Sequence, residues 1–168
     1  MAKAWFKNRL NDHFLLKSRA DDFRSRAAYK LEEIDQKYNL LKPGCKVLDL
    51  GAAPGSWSQY VMRTVKGNAK IIAIDLLEIE PIDGVTILQG DFLYEKNQNK
   101  IIELAPKGLD LILSDIAPDT TGLHYADTEN SFIMVNLALD IAQKLLKPGG
   151  SFVAKVFEGA EYQTLLKR

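Results

Sequence analysis

Five residues whose side chains could do chemistry stand at the ends of apolar runs. They are Asp49 after Val47-Leu48, Asp75 after Ile71-Ile72-Ala73-Ile74, Asp91 in Gln89-Gly90-Asp91-Phe92, Asp115 in Ser114-Asp115-Ile116-Ala117-Pro118, and Lys155 in Phe152-Val153-Ala154-Lys155-Val156-Phe157. One acidic loop residue is ordinary. Four carboxylates and a lysine at equivalent places are hard to explain as solubility. An ammonium among apolar neighbours is costly. Lys155 therefore reads as a lysine of depressed pKa able to act as a base, or as a strand-end lysine reaching to solvent. Asp115 would orient that lysine or hold a bound donor. Asp75 suits paired hydrogen bonds from two ribose hydroxyls. Asp91 would accept from an adenine amino group, with Ile74, Leu76 and Phe92 flanking the ring; alone, it reads equally as a loop aspartate.

A glycine-rich turn, Asp49-Leu50-Gly51-Ala52-Ala53-Pro54-Gly55-Ser56-Trp57-Ser58-Gln59, joins an apolar run to a helix-like stretch. Gly51 and Gly55 can take positive φ and carry no Cβ to crowd a ligand. The turn is expected to aim helix N-terminal N–H groups at a carboxylate or phosphate. Its G-x-x-x-G spacing departs from the G-x-G-x-x-G of dinucleotide sites. This favours an amino-acid nucleoside, S-adenosylmethionine, over NAD.

The elements that must carry these residues alternate. Residues 25–37 read as a helix, with Ala27, Ala28, Leu31 and Ile34 at helical spacing. Strands are expected over 46–50, 70–75, 85–89, 109–114 and 151–156, and helices over 58–65, 97–104, 127–146 and 161–167. Thr128 is a candidate N-cap, and Lys147-Pro148-Gly149-Gly150 a stop, for the long helix. Alternation of this kind predicts a single α/β domain over residues 1–168, Rossmann-like, with a mostly parallel sheet and helices on both faces. Residues 1–37 would form a basic arm and helix, and residues 45–168 the cofactor-binding core. Ligands of such sheets lie beyond the carboxyl ends of the strands.

The 168 residues suffice for one core, and 22 basic residues balance 22 acidic ones. Without net charge, any nucleic-acid site must come from local clustering. The first thirty residues supply a cluster: Lys3, Lys7, Arg9, Lys17, Arg19, Arg24, Arg26 and Lys30 interleave with Trp5, Phe6, Phe14, Phe23 and Tyr29. Such a segment suits phosphate contacts and base stacking, or is an amphipathic segment whose aromatics dock on the core. The single cysteine, Cys45, excludes an intrachain disulfide and reads as packing beside the first strand. His13 and His124 belong to no spaced ligand set, so no metal is expected. With neither a signal-type apolar core near the start nor a bilayer-length apolar run, a cytoplasmic protein without membrane contact is expected.

These segments, with Arg24-Ser25-Arg26-Ala27-Ala28-Tyr29-Lys30-Leu31, occur in the order of the FtsJ/RrmJ-type family of S-adenosylmethionine-dependent RNA ribose 2′-O-methyltransferases, which the chain resembles along nearly its whole length. The resemblance implies a Lys-Asp-Lys-Glu tetrad whose first three members fall on Lys30, Asp115 and Lys155, with Lys155 as the base. It implies cofactor contacts at Gly55, Trp57, Asp75, Asp91 and Asp115, beside the turn glycine Gly51. RNA contacts are expected from Arg24, Arg26 and Lys30. Replacing either arginine should weaken RNA binding and spare cofactor affinity. The implied substrate is a uridine ribose of large-subunit (23S-type) ribosomal RNA, probed by a monomeric enzyme within the large ribosomal subunit. The implied product is S-adenosylhomocysteine, with no metal required. A transfer-RNA 2′-O-methyltransferase of the same family and a non-catalytic RNA-binding ribosome-assembly factor stay open. In the family the tetrad glutamate follows a further helix and strand. Glu158 and Glu161 come too early for it, so the natural protein is expected to be longer by a helix and an antiparallel strand pair.

Overall fold

The computed structural model describes residues 17, 20–117, 122–159 and 161–167. Lys3, Trp5, Phe6, Lys7, Arg9, His13, Phe14 and Arg19 of the basic arm, and Pro118, lie outside them.

Helix α1 (Ala27–Tyr38) precedes β1 (Cys45–Leu50), α2 (Ser56–Thr64), β2 (Ala69–Asp75), β3 (Val85–Gln89), α3 (Glu95–Leu104), β4 (Leu109–Ser114), α4 (His124–Leu145), β5 (Leu146–Ala154) and the single turn α5 (Tyr162–Leu165). The described strands form one sheet in the order β3-β2-β1-β4-β5, and every pairing is parallel. This is the Rossmann-like arrangement that the alternating pattern predicts. The order reverses at β1: the chain proceeds outward to β2 and β3, then crosses to β4 on the other side. A crevice therefore opens between the carboxyl ends of β1 and β4, where Leu50 pairs with Ser114.

Alternation within each strand sorts side chains to two faces. Val47, Ile71, Leu111 and Leu113 pack with Leu31 of α1 and Trp57 and Val61 of α2. Leu48, Leu50, Ile72, Ile74 and Ile112 pack with Ile101 of α3 and Ala138 and Ile141 of α4. With both faces covered, β1 is apolar on both sides apart from Lys46 and Asp49, as a central parallel strand requires. Cys45, read from the sequence as packing beside this strand, is its first residue and is buried, which pushes its thiol pKa up.

Two local expectations need correction. The long helix starts at His124, so Thr128 lies inside it and does not cap it. The Thr128 hydroxyl donates back to the carbonyls of His124 and Tyr125. Lys147-Pro148-Gly149-Gly150 does not separate the helix from its strand but belongs to β5, which begins at Leu146. Leu109 pairs with Leu146 and Leu111 with Ser151, so the extra residues bulge from the ladder. The Lys147 ammonium, 2.7 Å from Asp110 Oδ1, fixes the bulge, and that contact lowers the Asp110 pKa.

Candidate active site at the carboxyl ends of the strands

Asp115 immediately follows β4, and Lys155 immediately follows β5. The Lys155 amide donates to the Ser114 carbonyl at 2.8 Å, extending the ladder by one residue. This brings the Lys155 ammonium to 3.2 Å from Asp115 Oδ1 and 3.3 Å from the Asp115 carbonyl oxygen. Lys30, on the exposed side of α1, stands 3.9 Å from the same Oδ1. Residues 30, 115 and 155 thus meet around one carboxylate, as the family pattern implies. Lys155 and Asp115 are mostly buried, whereas the Lys30 side chain is 54% exposed.

Asp49 is fully buried in β1 beneath the glycine turn. Its Oδ2 accepts from the Ser58 amide at 3.0 Å and from the Ser58 hydroxyl at 2.7 Å. Burial pushes its pKa up from 3.8 to about 7, against those hydrogen bonds and with the help of the Asp115 and Asp75 charges. The Ser58 N–H, in the first turn of α2, therefore already faces a carboxylate of the chain.

Four further amides of the turn are engaged too. Gly51 and Ala52 N–H both donate to the Ile74 carbonyl, at 2.9 and 3.2 Å, and Gly55 N–H donates to Ala52. Ala53 N–H donates to Asp75 Oδ2 at 2.9 Å. A diphosphate cradle needs such amides free, so the turn is poorly suited to a dinucleotide. Asp49 Oδ1 and Asp115 Oδ1 are buried without a hydrogen bond, Asp115 being met there only by ammonium groups. Both residues line one small cavity with Ser25, Gly51, Ala53 and Trp57. Carboxylates in the lining fit a ligand that carries positive charge and hydroxyls, which suits S-adenosylmethionine better than a phosphate-rich ligand.

The remaining expected residues divide. Asp75 ends β2, and its Oδ1 accepts from Leu77 N–H at 2.9 Å, so each oxygen keeps capacity for another donor. Asp91 follows β3 and accepts from Leu93 N–H at 2.8 Å, an Asx turn that also leaves acceptor capacity. Trp57 is buried and its indole N–H donates to the Ala27 carbonyl at 2.8 Å, so only its ring faces the cavity. Gly51 adopts φ +66°, yet a Cβ there would lie 2.3 Å from Ile116 Cγ1. Its bareness lets the loops after β1 and β4 close on each other, rather than making room for a ligand.

In the basic segment, Phe23 and Tyr29 take the core-docked alternative, and Arg24 bonds within the chain. Phe23 and Tyr29 are not stacking platforms: Tyr29 is buried, its ring edge meets Phe23 at 5.7 Å, and Arg63 covers Phe23 at 4.5 Å. Arg24 is half-buried, and its guanidinium is engaged within the chain. Its guanidinium donates to the carbonyls of Pro54, Glu80 and Pro81 at 3.0, 2.6 and 2.7 Å. Arg26 and Lys30 remain on the exposed side. Sequence reasoning missed the pairing of Asp49 with Ser58. The available signal was an acidic residue inside an apolar strand, followed nine positions later by a serine at the start of a helix.

Among the described residues no group of three or more His, Cys, Asp or Glu could hold a metal ion, and no helix is long and apolar enough to cross a membrane.

The family model described as FtsJ-like methyltransferase matches residues 23–168. Among curated proteins, the chain is 44% identical over 164 residues to a ribosomal RNA large subunit methyltransferase E of Pseudomonas fluorescens, covering 97% of this chain and 78% of that protein. It is 45% identical over 169 residues to the same-named protein of Rickettsia akari, covering 98% and 74%. Among solved structures, a ribosomal RNA methyltransferase of Plasmodium falciparum superposes with a TM-score of 0.80 at 34% identity, covering 86% of this chain and 84% of that one.

Proposed function

From the premise that the chain belongs to the FtsJ-like methyltransferase family, we propose that it transfers a methyl group from S-adenosylmethionine to a ribose 2′-hydroxyl of a uridine in large-subunit ribosomal RNA. The supporting relatives carry the name ribosomal RNA large subunit methyltransferase E. The observation that carries the site assignment is the convergence of Lys30 and Lys155 on Asp115 beside the glycine turn.

The donor supplies a methyl group already activated by a positively charged sulfur. Gly51, Gly55, the Trp57 ring, Asp75, Asp91 and Asp115 would hold it. Asp75 and Asp91 offer acceptor oxygens for the ribose hydroxyls and the adenine amino group. Asp115 brings negative charge to the cavity that it lines with Asp49.

Lys155 takes the 2′-hydroxyl proton onto Nζ in its neutral form. Asp115 orients it through both a carboxylate oxygen and a carbonyl oxygen, so the lone pair is directed without a flexible search. Lys30 adds positive charge on the solvent side, where it can meet the RNA backbone and the developing alkoxide. Holding the two reactants in line supplies much of the rate. Arg26 and Lys30 contribute phosphate contacts.

The test is transfer of labelled methyl from S-adenosylmethionine to undermethylated large ribosomal subunits, with naked transfer RNA alongside. Label in large-subunit RNA at a position that resists alkaline cleavage, because its 2′-oxygen is blocked, is the expected result. Label only in transfer RNA would reassign the substrate. Donor binding without label in either RNA would favour a non-catalytic assembly factor.

A further inference from the structure

We infer that Arg24 is a positioning residue for the methyl-donor site: it latches the glycine turn to the loop between β2 and β3, and so sets the place of the Asp75 carboxylate. The inference rests on the donor reading above and extends it to a residue that is not among the expected donor contacts.

The guanidinium joins two segments remote in sequence. One N–H group reaches the Pro54 carbonyl of the turn, and the same nitrogen and its neighbour reach the carbonyls of Glu80 and Pro81 in the loop. Three convergent acceptors suit a planar fork of fixed geometry and suit a lysine poorly. The arginine is itself aimed from below, because its backbone N–H donates to Gln59 Oε1 at 3.0 Å.

Gly55 shows how tightly the latch closes. A Cβ there would lie 2.7 Å from Ile82 Cδ1 and 3.3 Å from both Arg24 Nη1 and Ile79 Cγ2. The loop reaches back over the turn, where Ile79 buries itself against Ala52 and Ala73. Asp75 spans the two latched segments, with one oxygen on Ala53 N–H and the other on Leu77 N–H. Opening the gap between turn and loop would move these amides apart and release the carboxylate from its place.

Arg63 is the matched control. It anchors the chain just before Arg24 through the carbonyls of Asp21 and Asp22 but reaches neither the turn nor the loop. The experiment compares Arg24→Ala, Arg24→Lys and Arg63→Ala in three measurements: S-adenosylhomocysteine affinity by calorimetry, RNA affinity by filter binding, and amide hydrogen exchange of residues 51–56 and 76–82 without ligand. Arg24→Ala is expected to weaken S-adenosylhomocysteine about tenfold or more, with Arg24→Lys intermediate, as loss of a preorganised site predicts. It should raise KM for the donor more than it lowers kcat, and leave RNA affinity within about twofold. Exchange should speed up in both segments, and Arg63→Ala should change neither exchange nor affinity there. Lost RNA affinity with unchanged exchange and donor affinity would overturn the proposal, as would equal effects from Arg63→Ala. Should the wild-type protein fail to bind S-adenosylhomocysteine, the donor reading falls, and the exchange comparison still decides the latch. Should Arg24→Ala fail to fold, Arg24→Lys carries the same comparison.

Discussion

Lys155 is held twice by Asp115: its ammonium lies 3.2 Å from the carboxylate Oδ1 and 3.3 Å from the carbonyl oxygen of the same residue. The two residues are 40 positions apart, and the β4–β5 pairing, with Ser114 opposite Ala154, brings them side by side. An amine so constrained is directed before any ligand arrives.

Lys155→Met removes the proton acceptor while keeping the apolar stem. It is expected to lower kcat at least about a hundredfold, the usual minimum for a lost general base, with S-adenosylhomocysteine affinity little changed. Quench-flow transfer to large ribosomal subunits checks the rate, and calorimetry checks the affinity.

Asp49 makes stability depend on pH. Its pKa is about 7 in the folded chain and near 3.8 when solvated. Between those values the folded state binds a proton that the unfolded state does not. The contribution is therefore complete below about pH 4, falls by about 1.4 kcal/mol per pH unit as pH rises toward 7, and is flat above. Asn in its place keeps an oxygen for Ser58 and cannot ionise. Asp49→Asn should thus gain on the wild type between pH 5 and pH 8 in urea denaturation. A constant gap at both pH values would refute the assignment.

Gly51 combines a left-handed φ of +66° with a 2.3 Å approach to Ile116, whereas Gly67, at φ +76°, faces open space. Gly67→Ala is expected to cost about 1 kcal/mol, from backbone strain alone. Gly51→Ala should cost more, about 2–4 kcal/mol, because Ile116 must also move. Equal shifts in denaturation midpoint would mean that the two loops do not pack as described.

Trp57→Phe keeps a ring against the cavity but leaves the Ala27 carbonyl without its 2.8 Å donor. A loss of about 1–2 kcal/mol in stability is expected, with S-adenosylhomocysteine affinity within about threefold, since a ring still lines the cavity. Thermal melts and calorimetry separate these outcomes.

Arg26→Ala removes a charge from the exposed start of α1. It should weaken RNA binding across sequences and reduce the slope of log affinity against log salt by about one. Donor affinity should hold. A loss of donor affinity would place Arg26 in the latch with Arg24.

Much of this protein is legible in one dimension. Apolar runs of strand length, separated by helical spacing and Gly/Pro stops, determine an α/β sheet, because parallel strands buried on both faces must be continuously apolar. That same rule exposes Asp49, Asp75, Asp115 and Lys155, since a charge at such a place needs a reason. Element order also settles where Asp115 and Lys155 would meet. What the tertiary structure alone decided is the use of each donor and acceptor. Arg24 reads as a phosphate contact by charge and neighbourhood; its three carbonyl partners lie 30 to 57 residues away. The turn reads as an anion cradle; its amides instead meet Ile74, Asp75 and Asp49. Composition and spacing record which groups can bond, but their partners are chosen by loops that only the folded sheet brings together.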